Sequence, residues 1–328
     1  MTNRRTFIAG IAAVLSAPLA AQEKKDATRE YRIGVLDTVA EPPNSANMTQ
    51  LRKGLQELGY VEGKNLRIEY RTAESRNERY PALAAALAKM KVDLIVANGT
   101  PATLAAKNAP GMIPVVTATA LDPVETGLVA SLERPGGNVT GVAIVTSELE
   151  KKRIDVLRAL APGRKRVAVM VNMGNPGLVA TWKVIEAEAK AAGLEPLLVD
   201  LRKPEKLQRA FDGLVGKKAE ALVVRAGPMA ETERRTLVDL AAKHHLPAIY
   251  AQRQFVDAGG LVSYGLNTPE MYYRAATFVD KILKGAKPSE LPMEQPAKFE
   301  LVINRKTLRA LDLVIPPDLL LRSNEIIG

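Results

Sequence analysis

The 328-residue chain is 47% apolar and 25% charged, which fits a packed globular fold of about two domains and excludes general disorder. Its formal charge of +10 lies in scattered groups such as Lys151-Lys152-Arg153 and Arg164-Lys165-Arg166. Without interleaved aromatics these read as solvated surface and argue against a nucleic-acid partner. The absence of cysteine removes disulfides, thiolate chemistry and a cysteine-linked lipid anchor together.

At the N-terminus, Arg4 and Arg5 precede an apolar run over 7–19 that is short for a membrane span, and Ala20 and Ala21 follow. This pattern predicts an export signal over 1–21, cleaved after Ala21, and lowers the mature charge to +8. The order Asn3-Arg4-Arg5-Thr6-Phe7-Ile8 has the twin-arginine arrangement; ordinary secretion signals also carry paired arginines, and both routes stay open. No other stretch approaches eighteen apolar residues. The expectation is a mature protein free in the periplasm, not lipid-anchored, not membrane-embedded and monomeric.

Short β-branched runs then alternate with segments of helical period. Strands are predicted over 32–37, 66–70, 93–97 and 114–117, then over 166–171, 196–199, 221–224 and 247–250. Their near-continuous apolarity suits parallel strands covered on both faces, so the fold class is α/β. Ser75-Arg76-Asn77-Glu78 and Ser147-Glu148-Leu149-Glu150 have capping-box spacing and predict helix starts, and Thr268-Pro269 opens a later helix.

The pattern repeats. Gly59 follows Arg32 by 27 positions and Gly193 follows Arg166 by the same 27, each glycine ending a helix. Asp93-Leu-Ile-Val-Ala-Asn-Gly-Thr-Pro101 matches Glu220-Ala-Leu-Val-Val-Arg-Ala-Gly-Pro228, and the proline-led strands at Pro114 and Pro247 follow. Two similar Rossmann-like lobes with parallel sheets follow from this, and Pro135-Gly136-Gly137-Asn138 is read as a hinge crossing between them.

In such sheets ligands bind beyond the carboxyl ends of the strands. The corresponding loops nominate Thr38, Asn98, Gly99, Thr100, Pro101, Ala102, Thr119, Asp122, Asn172, Asn175, Gly227, Tyr250 and Tyr264 as ligand-binding residues. Thr100, Asp122 and Asn175 precede prolines and are candidate helix caps; the helix start at Thr100-Pro101-Ala102 is the candidate anion site. Tyr250 and Tyr264 are candidates to stack on a ligand. Trp182 reads as surface or packing.

Catalytic signals are missing. The only histidines, His244 and His245, are adjacent on a predicted helix and point about 100° apart, a poor chelating pair. No dinucleotide, nucleophile-elbow or phosphate-loop motif occurs. The chain is read as a non-enzyme without cofactor or metal. A site assembled from distant loops is the enzymatic alternative, and a ligand-sensing partner of a membrane receptor is the other.

From Tyr31 onward the chain resembles the ABC transporter substrate-binding family, which includes tryptophan- and phenylalanine-binding members and has a type I periplasmic binding fold. The resemblance is carried by Leu55-Gln-Glu-Leu-Gly-Tyr-Val-Glu-Gly-Lys-Asn65, Ile68-Glu-Tyr-Arg71, Asp93-Leu-Ile-Val-Ala-Asn-Gly-Thr-Pro-Ala102, Asp122-Pro123, the stretch 127–141, Gly259-Gly-Leu-Val-Ser-Tyr-Gly265 and Ile282-Leu-Lys-Gly-Ala-Lys-Pro288. It implies binding without chemistry, hinge closure on a small-molecule ligand, and delivery to an ABC transporter permease. Thr100, Asp122, Asn172 and Tyr264 fall where the family's cleft loops should be. Three crossings between lobes are implied, with a first lobe of 31–142 plus 266–296 and a second of 143–265 plus 297–328. Aromatic-amino-acid binders of the family are often lipoproteins, and this chain has no cysteine to anchor. The ligand expectation is therefore an amino acid or other small carboxylate first, then nucleosides or sugars.

Overall fold

The computed structural model describes residues 29–40, 45–202, 207–225, 227–296 and 298–328. The export signal predicted over 1–21 lies outside them.

Two sheets form the frame. The first has the order β2-β1-β3-β4-β5, built from Tyr31–Asp37 (β1), Leu66–Thr72 (β2), Leu94–Ala97 (β3), Val115–Leu121 (β4) and Val139–Ile144 (β5). In the second, Arg166–Val171 (β6), Glu195–Asp200 (β7), Ala221–Val224 (β8), Ala248–Tyr250 (β9) and Val262–Gly265 (β10) repeat that order as β7-β6-β8-β9-β10. Glu300–Asn304 (β11) and Glu325–Ile327 (β12) extend its edge.

The duplication reaches individual hydrogen bonds. Arg32 N donates to the Asp93 carboxylate at 2.7 Å, and Arg166 N to the Glu220 carboxylate at 2.8 Å. At the other end of the same strands, Asn98 N donates to Leu36 O and Arg225 N to Met170 O, both at 3.0 Å.

The apolar runs are buried on both faces, as parallel strands require. Ile33 and Val35 enter one first-lobe core while Leu36 enters the other; Val167, Val169 and Val171 face one second-lobe core, Ala168 and Met170 the opposite one. Helices cover both faces. Those that matter for the site are Ser45–Glu57 (α1), Tyr80–Lys89 (α2), Gly99–Lys107 (α3), Thr146–Leu160 (α4) and Pro176–Ala191 (α5). After them come Leu207–Gly216 (α6), Pro228–Thr232 (α7), Arg234–Lys243 (α8), Arg253–Asp257 (α9) and Thr268–Leu283 (α10).

In chain order the first sheet ends with β5, α4 packs in a core of the second sheet together with β6 and β10, α10 packs back on the first sheet, and β11 joins the second. Helix α10 buries Tyr272, Ala275, Ala276 and Val279 in the first-lobe core, and Glu294 still bridges Val142 of β5. The segment Pro135-Gly136-Gly137-Asn138 joins β4 to β5 within one sheet, so it is not a crossing. The second sheet also departs from pure parallel pairing: β11 runs antiparallel to β10. Strand β10 runs toward the cleft and the chain returns from the first lobe at that same end, so the next strand has to run away from it.

Neither capping box forms. Ser75 adopts φ +62°, and a short 3-10 turn, Asn77–Arg79, precedes α2. Helix α4 starts at Thr146 instead of after Ser147, and Glu150, the would-be capping partner, is buried in an ion cluster. The caps foreseen at Thr100 and Asp122 are also absent: Asn98 holds the N-cap position of α3, and the Asp122 carboxylate accepts from Thr146 N and Oγ1 at 2.9 and 2.6 Å. Asn175 caps α5 as foreseen, accepting from Gly177 N at 3.0 Å, and Asn267 caps α10.

Candidate functional site

Because both sheets point the carboxyl ends of their parallel strands at each other, the strand-end loops meet around one cavity of about 620 Å³. The first lobe contributes Thr38 and Val39 after β1, Glu74 and Ser75 after β2, Asn98 to Pro101 after β3, and Thr119 and Leu121 of β4. From the second lobe come Leu149 and Arg153 of α4, Asn175, Arg225 and Gly227, Glu231 and Gln252.

The first-lobe wall is a connected polar network. Asp37, wholly buried, accepts from Thr38 N at 2.6 Å, Asn98 Nδ2 at 2.9 Å and the Tyr272 hydroxyl at 2.5 Å. Thr119 Oγ1 donates to Asn98 Oδ1 at 2.6 Å, which fixes the orientation of that carboxamide. Gly99 turns the chain into α3 with φ +80°, a conformation that costs glycine nothing. Ser75 adds a buried hydroxyl without a hydrogen-bond partner.

The second-lobe wall is charged. Arg153 and Glu150, both 1% exposed, pair at 2.5 Å, and Arg225 Nη2 lies 3.1 Å from the same Glu150 oxygen. Arg153 Nε and Nη2 also donate to Tyr264 O at 2.9 and 2.7 Å. Burial lowers the Arg225 guanidinium to about 10, against the opposing pull of Glu150, which leaves it protonated at neutral pH. Also in this wall, burial pushes the Glu231 carboxyl up to about 7 although Gln252 Nε2 donates to it at 2.9 Å.

Of the residues nominated from sequence, Thr38, Asn98, Gly99, Thr100, Pro101, Thr119, Asn175 and Gly227 line this cavity. The Thr100 hydroxyl is engaged by the β4 backbone, accepting from Leu121 N at 3.2 Å. The other five nominees stand outside the lining. Ala102 is fully buried inside α3, and Asn172 caps its own loop by accepting from Gly174 N. Asp122 is engaged with Thr146, as described.

The two tyrosines do not reach the cavity. Tyr250 stacks on Phe255 with centroids 4.8 Å apart, in space left by Gly260, where an added Cβ would lie 2.6 Å from the ring. Tyr264 packs against Phe299 and offers only its carbonyl, to Arg153.

Sequence reasoning missed Arg153, Arg225 and Glu231. Lys151 and Lys152 are exposed as expected of a solvated triplet, but Arg153 lies one turn from Leu149 and Leu157 and faces inward with them. Its helical position was the available signal. Arg225 had one too: it is the repeat counterpart of Asn98. His244 stacks on Phe211, away from the cavity, and no cluster of three metal-ligating side chains occurs among the described residues. No helix among them is long and apolar enough to cross a membrane.

Known proteins share this arrangement. A tyrosine-binding protein of Clostridioides difficile (strain R20291) is 28% identical over 291 residues, covering 89% of this chain and 84% of the relative. A conserved domain protein of Vibrio cholerae superposes with a TM-score of 0.85 at 26% identity, over 91% of this chain and 100% of the other. The ABC domain from Streptococcus pneumonia in complex with L-Trp gives 0.84 at 24% identity over the same shares, a match of fold. The ligand-free, open structure of a Clostridium difficile substrate-binding protein gives 0.66 at 26% identity, over 91% of this chain and 99% of that one. Residues 32–327, which hold both lobes and every residue of the cavity wall, match the ABC transporter substrate binding protein family, a family of binding proteins and not of enzymes; the chain belongs to it.

Proposed function

We propose that this substrate-binding protein captures an amino acid between its lobes, with aromatic amino acids first among the candidates, and hands it to the permease of an ABC importer. The observation that carries the reading is a cavity walled by both lobes, with two buried arginines, the half-buried carboxyl group of Glu231, an oriented carboxamide and several apolar side chains in its wall. Its volume is in the range of small-molecule sites. Such a wall complements a zwitterion attached to an apolar side chain. The tyrosine-binding relative supports the aromatic choice. No aromatic side chain stands among the described lining residues, so a ligand ring would lie against Val39, Pro101, Leu121, Ile144, Leu149 and Leu266.

Delivery requires export, which we assign to residues 1–21. The test is a titration of protein recovered from the periplasm, whose first residue should be Gln22. L-Tyrosine, L-tryptophan or L-phenylalanine should stabilise it, by about 2.7 kcal/mol at 100 times Kd, without being converted. Stabilisation by none of the three, with another metabolite active in the same screen, would overturn the aromatic assignment; turnover would overturn the binding role.

A further inference from the structure

The duplication sets Asn98 on one wall of the cavity and its counterpart Arg225 on the other. Asn98 is held by Asp37 and Thr119. Arg225 is only partly engaged: it is 4% exposed, it reaches Glu150 through Nη2, and its Nε has no hydrogen-bond partner. Glu150 is shared, since the same oxygen pairs with Arg153 while Oε2 is unpartnered. Two guanidinium groups on one carboxylate leave the cluster with a formal surplus of one positive charge. The next anion, Asp122, directs its two carboxylate oxygens to Thr146. A buried cation incompletely paired by the protein is costly unless a partner arrives.

The geometry points to Arg225, braced by Glu150 and Arg153, as the second-lobe subsite that binds the carboxylate of the transported solute. This rests on the reading of the cavity as the transport site and adds which group of the ligand the second lobe holds. A planar guanidinium fork matches a carboxylate and discriminates it from an amide, which carries no charge. The subsite lies on the lobe opposite the start of α3, so a carboxylate reached from both sides binds the closed state better than the open one, the condition for a ligand to drive closure.

Two sets of probes separate the subsite from the identity of the ligand. In the first, L-tyrosine and L-tryptophan are compared with their amides by calorimetry. Wild type should prefer the acids by on the order of a hundredfold, and Arg225→Met should reduce that preference to about threefold or less. In the second, melting is followed at pH 7 in sodium acetate and in sodium chloride of equal ionic strength. Acetate should raise the midpoint of wild type over chloride, and should not do so in Arg225→Met.

Should the methionine variant fail to fold because Glu150 loses a partner, Glu150→Gln decides. It removes the internal competitor for Arg225 and should strengthen the acetate effect. An acetate effect present in wild type and unchanged in Arg225→Met, an unchanged effect in Glu150→Gln, or no acetate effect in wild type overturns the subsite. An acetate effect that depends on Arg225 while L-tyrosine, L-tryptophan and L-phenylalanine all fail to bind supports the subsite and rejects the aromatic reading alone.

Discussion

Glu231 shows how a single carboxyl group in the wall couples folding to pH. Its ordinary value of 4.5 is raised to about 7, chiefly by burial and further by the charge of Asp37 across the cleft, while Gln252 and Arg234 pull the other way. Tyr80, whose own phenol is raised by burial and by Asp37 and Glu231, faces the same region. A folded-state value above the unfolded one means the folded protein holds this proton longer. The group therefore costs stability progressively as pH climbs from about 4.5 to about 7, and by a constant amount above that. Glu231→Gln removes the titration, so its melting midpoint minus that of wild type should grow through this window and then level off. A difference independent of pH would show that the carboxyl is solvated. This residue could not have been foreseen, because its desolvation depends on its own short helix, α7, lining the cavity that the first-lobe loops close from the opposite side.

Among the elements, helix caps with asparagine were legible because a short side chain before a proline or a polar turn has one good local partner, as at Asn175. Glycine was legible where it ends a helix, as at Gly59 and Gly193 with φ +91° and +74°, but not between strands, since the same residue serves flexibility, left-handed turns and close approach. Gly137 was read as part of a hinge, yet the demanding glycine of this region is four residues on. Gly141 has φ +124°, and a Cβ built there would lie 2.2 Å from Thr117 O of the neighbouring strand, where β4 carries a register shift. Backbone cannot swing aside as a side chain can. Gly141→Ala should cost about 3 kcal/mol in chemical denaturation, whereas Gly137→Ala, with nothing within 4 Å, should be close to neutral. Similar losses for the two would mean that the β4–β5 pairing relaxes around the methyl group. Asp122 was foreseen as a cleft residue for the right reason, its place at a strand end, but its carboxylate is consumed in joining β4 to the start of α4.

At the scale of the whole molecule, the two lobes were legible because the repeat is written twice in the same grammar, down to Asp93 and Glu220. The antiparallel return of β11 was not, because strand direction depends on which lobe the chain has just left. How the lobes meet is likewise a property of neither repeat alone. Here they touch: Asn77 Nδ2 donates to Gly174 O at 3.1 Å, and Gly177 at the start of α5 approaches Thr100 so closely that a Cβ would lie 2.6 Å from its hydroxyl oxygen and 3.1 Å from Leu121 Cβ. The match to the ligand-free, open relative, with a TM-score of 0.66 against 0.85 for another 26% identical structure at equal coverage of this chain, is consistent with a different lobe arrangement. A valine at 177 is compatible with helical backbone and leaves each lobe's core intact, but it occupies the space into which Thr100 moves. Gly177→Val should therefore prop the lobes apart. Since ligand favours closure only through its tighter binding to the closed state, affinity should fall by at least about tenfold. The melting midpoint of the ligand-free variant should match wild type, and small-angle scattering should show the ligand-induced contraction in wild type alone. Wild-type affinity and contraction in the variant would mean that closure does not bring α3 and α5 together.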